Sequence, residues 1–296
     1  MAEITRTLVA AIVGRPNVGK STLVNAVAGE KIAIVSPKPQ TTRHRIRAVA
    51  NRGETQFVFV DTPGFHRPRT RLGEYMVKTV RDSFHGVDAV VLVVDGARED
   101  DELLTLLRNA NTPAVIAINK IDALDSKAEL LPIIARYSQF HHIVPISAKL
   151  GEGVEELLSV LSQFAQDGGA LFPQDMTSDQ DDRTVVGELV REKLLMCLDK
   201  EIPHGIAVDV TKFSERDSAS GDPIIDVDVT IYCERESHKR IIIGKRGEML
   251  RRVGSLSRRD IERFMGTRVF LQTWVKVREG WRDRAGALRE FGYGDR

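Results

Sequence analysis

Residues Gly14-Arg15-Pro16-Asn17-Val18-Gly19-Lys20-Ser21 have a spacing that could hold an anion: two glycines separated by four residues, then an ammonium and a hydroxyl. The glycines let the backbone turn so that its N–H groups surround phosphate oxygens. A helix opening there adds favourable N-terminal potential. In this pattern Lys20 is expected at the β- and γ-phosphates of a nucleotide and Ser21 on Mg²⁺. Asp61-Thr62-Pro63-Gly64 adds a carboxylate that can hold Mg²⁺ through a water, and a Gly64 N–H that can touch the γ-phosphate. In Asn119-Lys120-Ile121-Asp122, the Asp122 carboxylate can accept two hydrogen bonds from the guanine N1–H and exocyclic amine. Adenine lacks that donor pair. At about 1.5–3 kcal/mol per charge-assisted bond, the preference for GTP over ATP is of order 10² to 10⁴. Ser147-Ala148-Lys149 can meet the guanine O6 through its backbone.

These groups need rigid elements behind them. Apolar runs at 8–13, 57–60, 89–94, 114–118 and 143–146 alternate with helical patterns such as 21–27, 103–109 and 154–164. Unbroken apolar strands between helices indicate a parallel sheet buried on both faces. Each of the four motifs follows one of these runs, and the carboxyl ends of strands are where ligands sit in open α/β sheets. Runs 46–51 and 57–60 flank Arg52-Gly53-Glu54, which reads as a hairpin and predicts one antiparallel edge strand. The expected first domain is 1–168, an α/β P-loop GTPase domain with a mostly parallel sheet. A stretch without periodicity, 169–182, reads as a linker.

The second domain, 183–296, has a different grammar: helix, two strands, a short helix, Gly244-Lys245-Arg246-Gly247, a longer helix, a strand and a tail helix. With the apolar Ile241-Ile242-Ile243 before the glycines, this resembles a smaller α+β domain of the type II KH class. Its GXXG loop joins two helices and clamps a single-stranded nucleic-acid backbone. The candidate RNA-binding residues are Ile243, Gly244, Lys245, Arg246, Gly247 and Arg251. Charge is polarised here: residues 235–259 hold nine Lys or Arg against two acids, and 201–234 hold eight acids against two bases. About half of Arg251, Arg252, Arg258, Arg259 and Arg263 are expected only to wet a helix face. Phe270 and Trp274, in an alternating strand, are expected in the core.

Composition sets outer limits. The chain has 296 residues, 42% hydrophobic and 29% charged, with a formal net charge of +1. That suits a soluble globular chain of about two domains, and total charge does not point to nucleic acid. Cys197 and Cys233 have no pairing or metal-site spacing, so a reducing cytoplasm is the expectation. No signal peptide or membrane span is expected, because the apolar runs are strand-length.

Thr41-Thr42 falls where translation-factor-related GTPases, which the first domain resembles, place the switch I threonine; Thr42 is the choice for closing on Mg²⁺. Phe65 follows Gly64 where Ras-like enzymes carry a water-orienting glutamine. The chain therefore resembles GTPases with a hydrophobic residue there, in some of which an asparagine at the position of Asn17 helps hold K⁺. That resemblance implies slow, K⁺-stimulated hydrolysis, with Lys20, Thr42, Gly64 and Asn17 as the catalytic set. The GTPase domain, short linker and KH domain together resemble the Era family of bacterial ribosome-assembly GTPases. Further carriers of the likeness are Gln40-Thr41-Thr42-Arg43-His44-Arg45, Trp274-Val275-Lys276-Val277 and Trp281. It implies binding of the 16S ribosomal RNA 3′ end, maturation of the small (30S) subunit and RNA affinity set by the GTP state. It also implies peripheral association at the inner face of the membrane; a cytoplasmic monomer is the default expectation. A tRNA-modifying GTPase, a tandem-domain GTPase and a non-catalytic RNA scaffold that holds GTP structurally are the competing readings. The first lacks a cofactor domain here, the second a second P-loop, and turnover assays discriminate the third.

Overall fold

A computed structural model describes residues 2–96, 101–199, 202–217 and 221–293. Glu201, one of the acids counted above, lies outside them. The chain forms two compact units. The first comprises Met1–Val35, Thr42–Arg69 and Gly73–Asp179, and the second Ser36–Thr41, Thr70–Leu72 and Gln180–Arg296.

The first unit contains β1 (Arg6–Val13), α1 (Lys20–Ala28), β2 (Ile46–Arg52), β3 (Thr55–Asp61), α2 (Arg71–Asp82, from Gly73 onward), β4 (Ala89–Val94), α3 (Asp101–Asn109), β5 (Ala114–Ile118), α4 (Leu130–Arg136), β6 (His142–Pro145), α5 (Val154–Ser162) and β7 (Gln166–Asp167). Its sheet has the order β2-β3-β1-β4-β5-β6, with short β7 antiparallel on β1. β2 and β3 form the antiparallel hairpin, and the other neighbours on that path are parallel. Successive side chains of β4 enter opposite layers: Ala89, Val91 and Val93 join one core, Val90, Leu92 and Val94 the other. Two-sided burial explains why these strands read as unbroken apolar runs. Each fully buried Val or Leu contributes roughly 1.5–3 kcal/mol relative to exposure.

The segment expected as a linker, 169–182, is structured for most of its length, and through Asp179 it groups with the first unit. The Gln56 Oε1 accepts from Leu171 N–H (2.8 Å) and Phe172 N–H (2.9 Å), while its Nε2 donates to Phe172 O (2.9 Å). Further on, Val49 N–H donates to Thr177 O (2.8 Å) and Ala48 bridges Ser178. These bonds cover the outer edge of β2, which would otherwise offer unpaired groups. A polar, aperiodic sequence conceals such docking because its bonds use backbone.

The second unit contains α6 (Asp182–Cys197), β8 (Ala207–Asp217), β9 (Pro223–Cys233), α7 (Glu236–Ile243), α8 (Glu248–Met265), β10 (Arg268–Val277) and α9 (Ala285–Glu290). The sheet order is β10-β9-β8, with β9 antiparallel to β8 and parallel to β10. Asp181 caps α6 by accepting from Thr184 N–H (2.6 Å). One apolar layer joins α6 and α8 to the inner side of the sheet, through residues such as Leu189, Val227, Val253 and Val275. The expectation that Phe270 and Trp274 lie in this core is corrected: they are 47% and 43% exposed. They alternate with Val269 and Val275, which take the helix-covered side.

Replacing Gln56 with Ala strands the Leu171 and Phe172 amides. The expected cost is about 1–3 kcal/mol of first-unit stability, read by urea unfolding, with faster hydrogen exchange at both amides.

Candidate functional site

The phosphate loop joins β1 to α1. Gly19 lies in left-handed backbone (φ 100°), and a Cβ there would sit 2.1 Å from Asn119 Nδ2. Gly64, brought in at the end of β3, passes so close to Pro16 that a Cβ would fall 2.8 Å from its Cα. The Phe65 N–H then donates to Gly14 O (3.0 Å), and the Thr62 hydroxyl donates to Ile12 O (2.7 Å). Backbone thus ties both loops together where a γ-phosphate would stand. Asn17 is exposed with φ 65°.

Beneath this loop lie two opposite charges. The Lys20 ammonium, 5% exposed, donates to Gly14 O (3.1 Å) and Arg15 O (2.9 Å). Burial pushes it down to about 8, with Asp61 opposing. Burial pushes the Asp61 carboxyl up to about 6, against Lys20 and the Ser21 and Thr42 hydroxyls. The Ser21 hydroxyl donates to Asp61 Oδ2 (2.9 Å) and stands 2.8 Å from Thr42 Oγ1. Asp61 Oδ1 is buried without a hydrogen-bond partner. A hydroxyl pair and a carboxylate with an unused oxygen, facing a phosphate site, suit a hard divalent cation. Among the described residues, no group of three or more His, Cys, Asp or Glu offers an all-protein metal cage. The neighbouring Thr41 hydroxyl instead donates to Lys38 O (2.7 Å).

Asn119 ties the base side to the phosphate side: Nδ2 donates to Val18 O (2.8 Å) and Oδ1 accepts from Ala148 N–H (2.9 Å). The exposed Asp122 accepts from Ser147 Oγ–H (2.7 Å), which aims its carboxylate. Lys120, in left-handed backbone (φ 66°), donates to Asp95 Oδ2 (2.8 Å), and Lys149 is exposed. Asp95 and Val18 O are partners that motif spacing did not show. Phe65 is 3% exposed within the core that holds Val77 and Leu103, so its ring is turned away from solvent.

In the second unit Gly244 ends α7 with φ 73° and ψ 174°, and a Cβ there would meet Met249 Cβ at 2.7 Å. Lys245 and Arg246 are exposed at the tip, and Gly247 opens α8. Ile243 packs half-buried against the core. Beside the loop runs a cleft of about 400 Å³ lined by Gly247, Leu250, Arg251, Gly254, Ser255 and Arg258 of the loop and α8, and by Leu271 and Thr273 of β10. Arg251 Nη2 also donates to Arg246 O. Of the basic helix residues, Arg251 and Arg258 face the cleft, while Arg263 turns to Asp260 (3.5 Å). The α8 spacing 250, 251, 254, 255, 258 is one helical stripe and was a legible signal for the missed lining residues.

The first unit therefore has the fold and guanine-selecting loops of a P-loop GTPase, and the second those of a KH domain. Family models agree: one described as 50S ribosome-binding GTPase matches residues 9–120, and one described as KH domain matches 201–282. The GTPase Era of Clostridioides difficile (strain 630) is 48% identical over 292 residues, spanning 96% of this chain and 97% of its own. That of Alkaliphilus metalliredigens (strain QYMF) is 46% identical over 288 residues, 95% of this chain and 97% of its own. Two solved structures each match with 36% identity and a TM-score of 0.92, covering 98% of this chain and all of theirs. One is a tyrosine-to-alanine variant of Aquifex aeolicus Era bound to GDP·AlF₄⁻, the other Era in complex with MgGDPNP and nucleotides 1506–1542 of 16S ribosomal RNA. The chain belongs to the Era family of GTPases.

Binding needs Lys20 protonated and Asp61 ionised. Affinity for Mg²⁺-GDP is expected to be flat between about pH 6 and pH 8. It should fall below about 6 as Asp61 takes up a proton and above about 8 as Lys20 loses one. Titration of a fluorescent GDP across that window checks it.

Proposed function

We propose that this GTPase binds the 3′ end of 16S ribosomal RNA through its KH cleft and assists maturation of the small (30S) ribosomal subunit. The observation that carries the reading is the coexistence, in one chain, of the Lys20–Ser21–Asp61 site and a Gly244–Gly247 loop opening on a basic cleft.

Phosphoryl transfer asks the protein mainly for positioning and charge. Protonated Lys20 and the loop N–H groups bind the β- and γ-phosphates. Ser21 and Thr42 offer oxygens to Mg²⁺ and Asp61 orients the ion's shell; when bound, the ion neutralises charge developing on the phosphates. The Gly64 N–H faces the γ-phosphate, and Asp122, aimed by Ser147, selects guanine. With Phe65 buried, the side chain directly after Gly64 does not orient the attacking water, which supports a slow intrinsic rate. Asn17, exposed at the loop mouth, is the residue that would hold K⁺, whose charge would supplement that of Lys20. Turnover is expected to be several-fold faster in K⁺ than in Na⁺ buffer, with the difference lost in Asn17→Ala. Equal rates in the two buffers would remove the K⁺ role.

If the GTP form binds RNA more tightly, RNA must tighten GTP binding by the same factor. Peripheral contact with the inner membrane face rests on the family resemblance, residence in the cytoplasm on the cysteine usage, and a monomeric state is the default. Among the described residues no helix is long and apolar enough to cross a membrane.

The decisive test is equilibrium binding of a labelled RNA matching the 16S 3′ end, with a non-hydrolysable GTP analogue present. Tight binding is expected, and Lys245→Asp with Arg246→Asp should weaken it at least about tenfold. Binding insensitive to that pair would overturn the KH assignment of RNA recognition.

A further inference from the structure

Helices cover one face of the second unit's sheet. On the other, β10 presents Arg268, Phe270, Gln272, Trp274 and Lys276 at alternate positions, all exposed. Two large rings are thus held in water along one edge strand, with a cation at each end of the row. Part of the face is covered: Tyr232 of β9 meets Phe291 of the tail at 4.9 Å between ring centroids, and Arg278 lies 5.0 Å from the Phe291 centroid. Among the described residues, which run to Tyr293, the tail leaves Phe270 and Trp274 exposed.

Three features select the occupant. The inner side of β10 supplies Leu271 and Thr273 to the cleft beside Gly247. An RNA strand leaving that cleft over the β10 edge therefore arrives at the rings. Arg268 and Lys276 bracket the rings with positive charge, and Gln272 between them offers both a donor and an acceptor. Acids lie one strand inward, Asp226 in register with Phe270 and Asp228 with Gln272. Asp226 is engaged by Lys212 (3.0 Å) and Arg216 (2.8 Å). Asp228, next on that strand, is the acid that favours an anionic partner at the β10 edge. Phe270 and Trp274 stand about 13 Å apart along the strand, too far to stack on each other, so each is a separate platform. Aromatic rings on a sheet are a recurrent device for stacking unpaired bases.

We propose that Phe270 and Trp274 form a second RNA surface, on which unpaired bases of the strand leaving the Gly244–Gly247 cleft stack while Arg268 and Lys276 meet its phosphates. This rests on the RNA reading of the cleft. It extends the RNA footprint beyond the roughly four nucleotides a GXXG cleft clamps.

The full chain carries two tryptophans, and Trp281 is fully buried, so Trp274 reports directly. Two RNAs sharing one 3′-end core are titrated, about five and about twelve nucleotides long, the shorter sized to the cleft. The longer RNA should quench Trp274 emission and protect it from acrylamide, and the signal should vanish in Trp274→Phe. Phe270→Ala with Trp274→Ala should weaken the longer RNA by roughly tenfold or more and leave the shorter unchanged. Phe270→Tyr with Trp274→Phe should restore affinity. Unchanged affinity for the longer RNA with no quenching overturns the proposal. So does equal loss on both RNAs, or concentration-dependent protection of Trp274 without RNA, which would assign the face to a second copy of the chain. Loss of RNA binding in Lys245→Asp with Arg246→Asp, beside any of these outcomes, shows the cleft reading intact while the sheet face fails.

Discussion

Lys20, at the start of α1, and Asp61, at the end of β3, are both withdrawn from water, and the nucleotide site is organised around that constraint. Desolvation disfavours the charged form of each, and their mutual attraction and the Ser21 and Thr42 hydroxyls only partly offset it. Such a pair contributes little to stability by itself. Its value lies in what completes it: phosphate oxygens for an ammonium whose hydrogen-bond partners among the described residues are the Gly14 and Arg15 carbonyls, and a divalent ion for a carboxylate with one oxygen unused among them. The sheet must be rigid enough to hold two charges in that state. Cores on both of its faces and Asn119, clamped between Val18 O and Ala148 N–H, supply that rigidity.

The two units share one local device for opposite ends. In each, a left-handed glycine opens a helix: Gly19 before α1 and Gly247 before α8. In the first, the cation after the glycine is buried and held to backbone carbonyls, so a phosphate must enter a defined cradle. In the second, Lys245 and Arg246 are exposed and the cleft is shallow, so a flexible backbone can be gripped through its charge. Burial converts the first into a specific site for one polyphosphate. Exposure leaves the second tolerant, and selectivity must come from the cleft floor of Leu250, Gly254, Ser255, Leu271 and Thr273.

Much of this was legible because the nucleotide motifs are local. Gly14 to Ser21 and Asn119 to Asp122 each carry their chemistry within eight residues or fewer and sit where apolar runs end. The hairpin at Gly53 and the helix–GXXG–helix order were legible for the same reason. What stayed hidden depends on partners distant in sequence. Gln56 holding Leu171 and Phe172 through backbone has no compositional trace. In Arg268–Val277 one side carries Arg268, Phe270, Gln272, Trp274 and Lys276 and the other Val269, Leu271, Thr273, Val275 and Val277. The Arg268, Gln272 and Lys276 that share the rings' side were the signal that it faces away from the helices, and the expectation of buried aromatics came out inverted. Here the two-residue period specified the pairing of side chains, while helix packing specified the phase.

Phe65 shows how a lost catalytic group can serve the rest of the fold. Its ring is an integral part of the core beneath β4 and α3, and its amide bonds Gly14 O, so the residue after Gly64 pins one switch loop to the phosphate loop. A glutamine there would leave a hole or bury an unsatisfied amide, at a cost of about 1–3 kcal/mol, and gain a water-orienting group only if the loop swung outward. The chain thus has a packed, defined ground state at the position where a water-orienting side chain would stand. For a protein whose nucleotide state governs another binding event, that has a consequence. Under the proposed function, the coupling free energy between sites, typically about 1–3 kcal/mol, would be expressed only while GTP persists, so a slow hydrolysis would set the time for which the second unit stays in its high-affinity form.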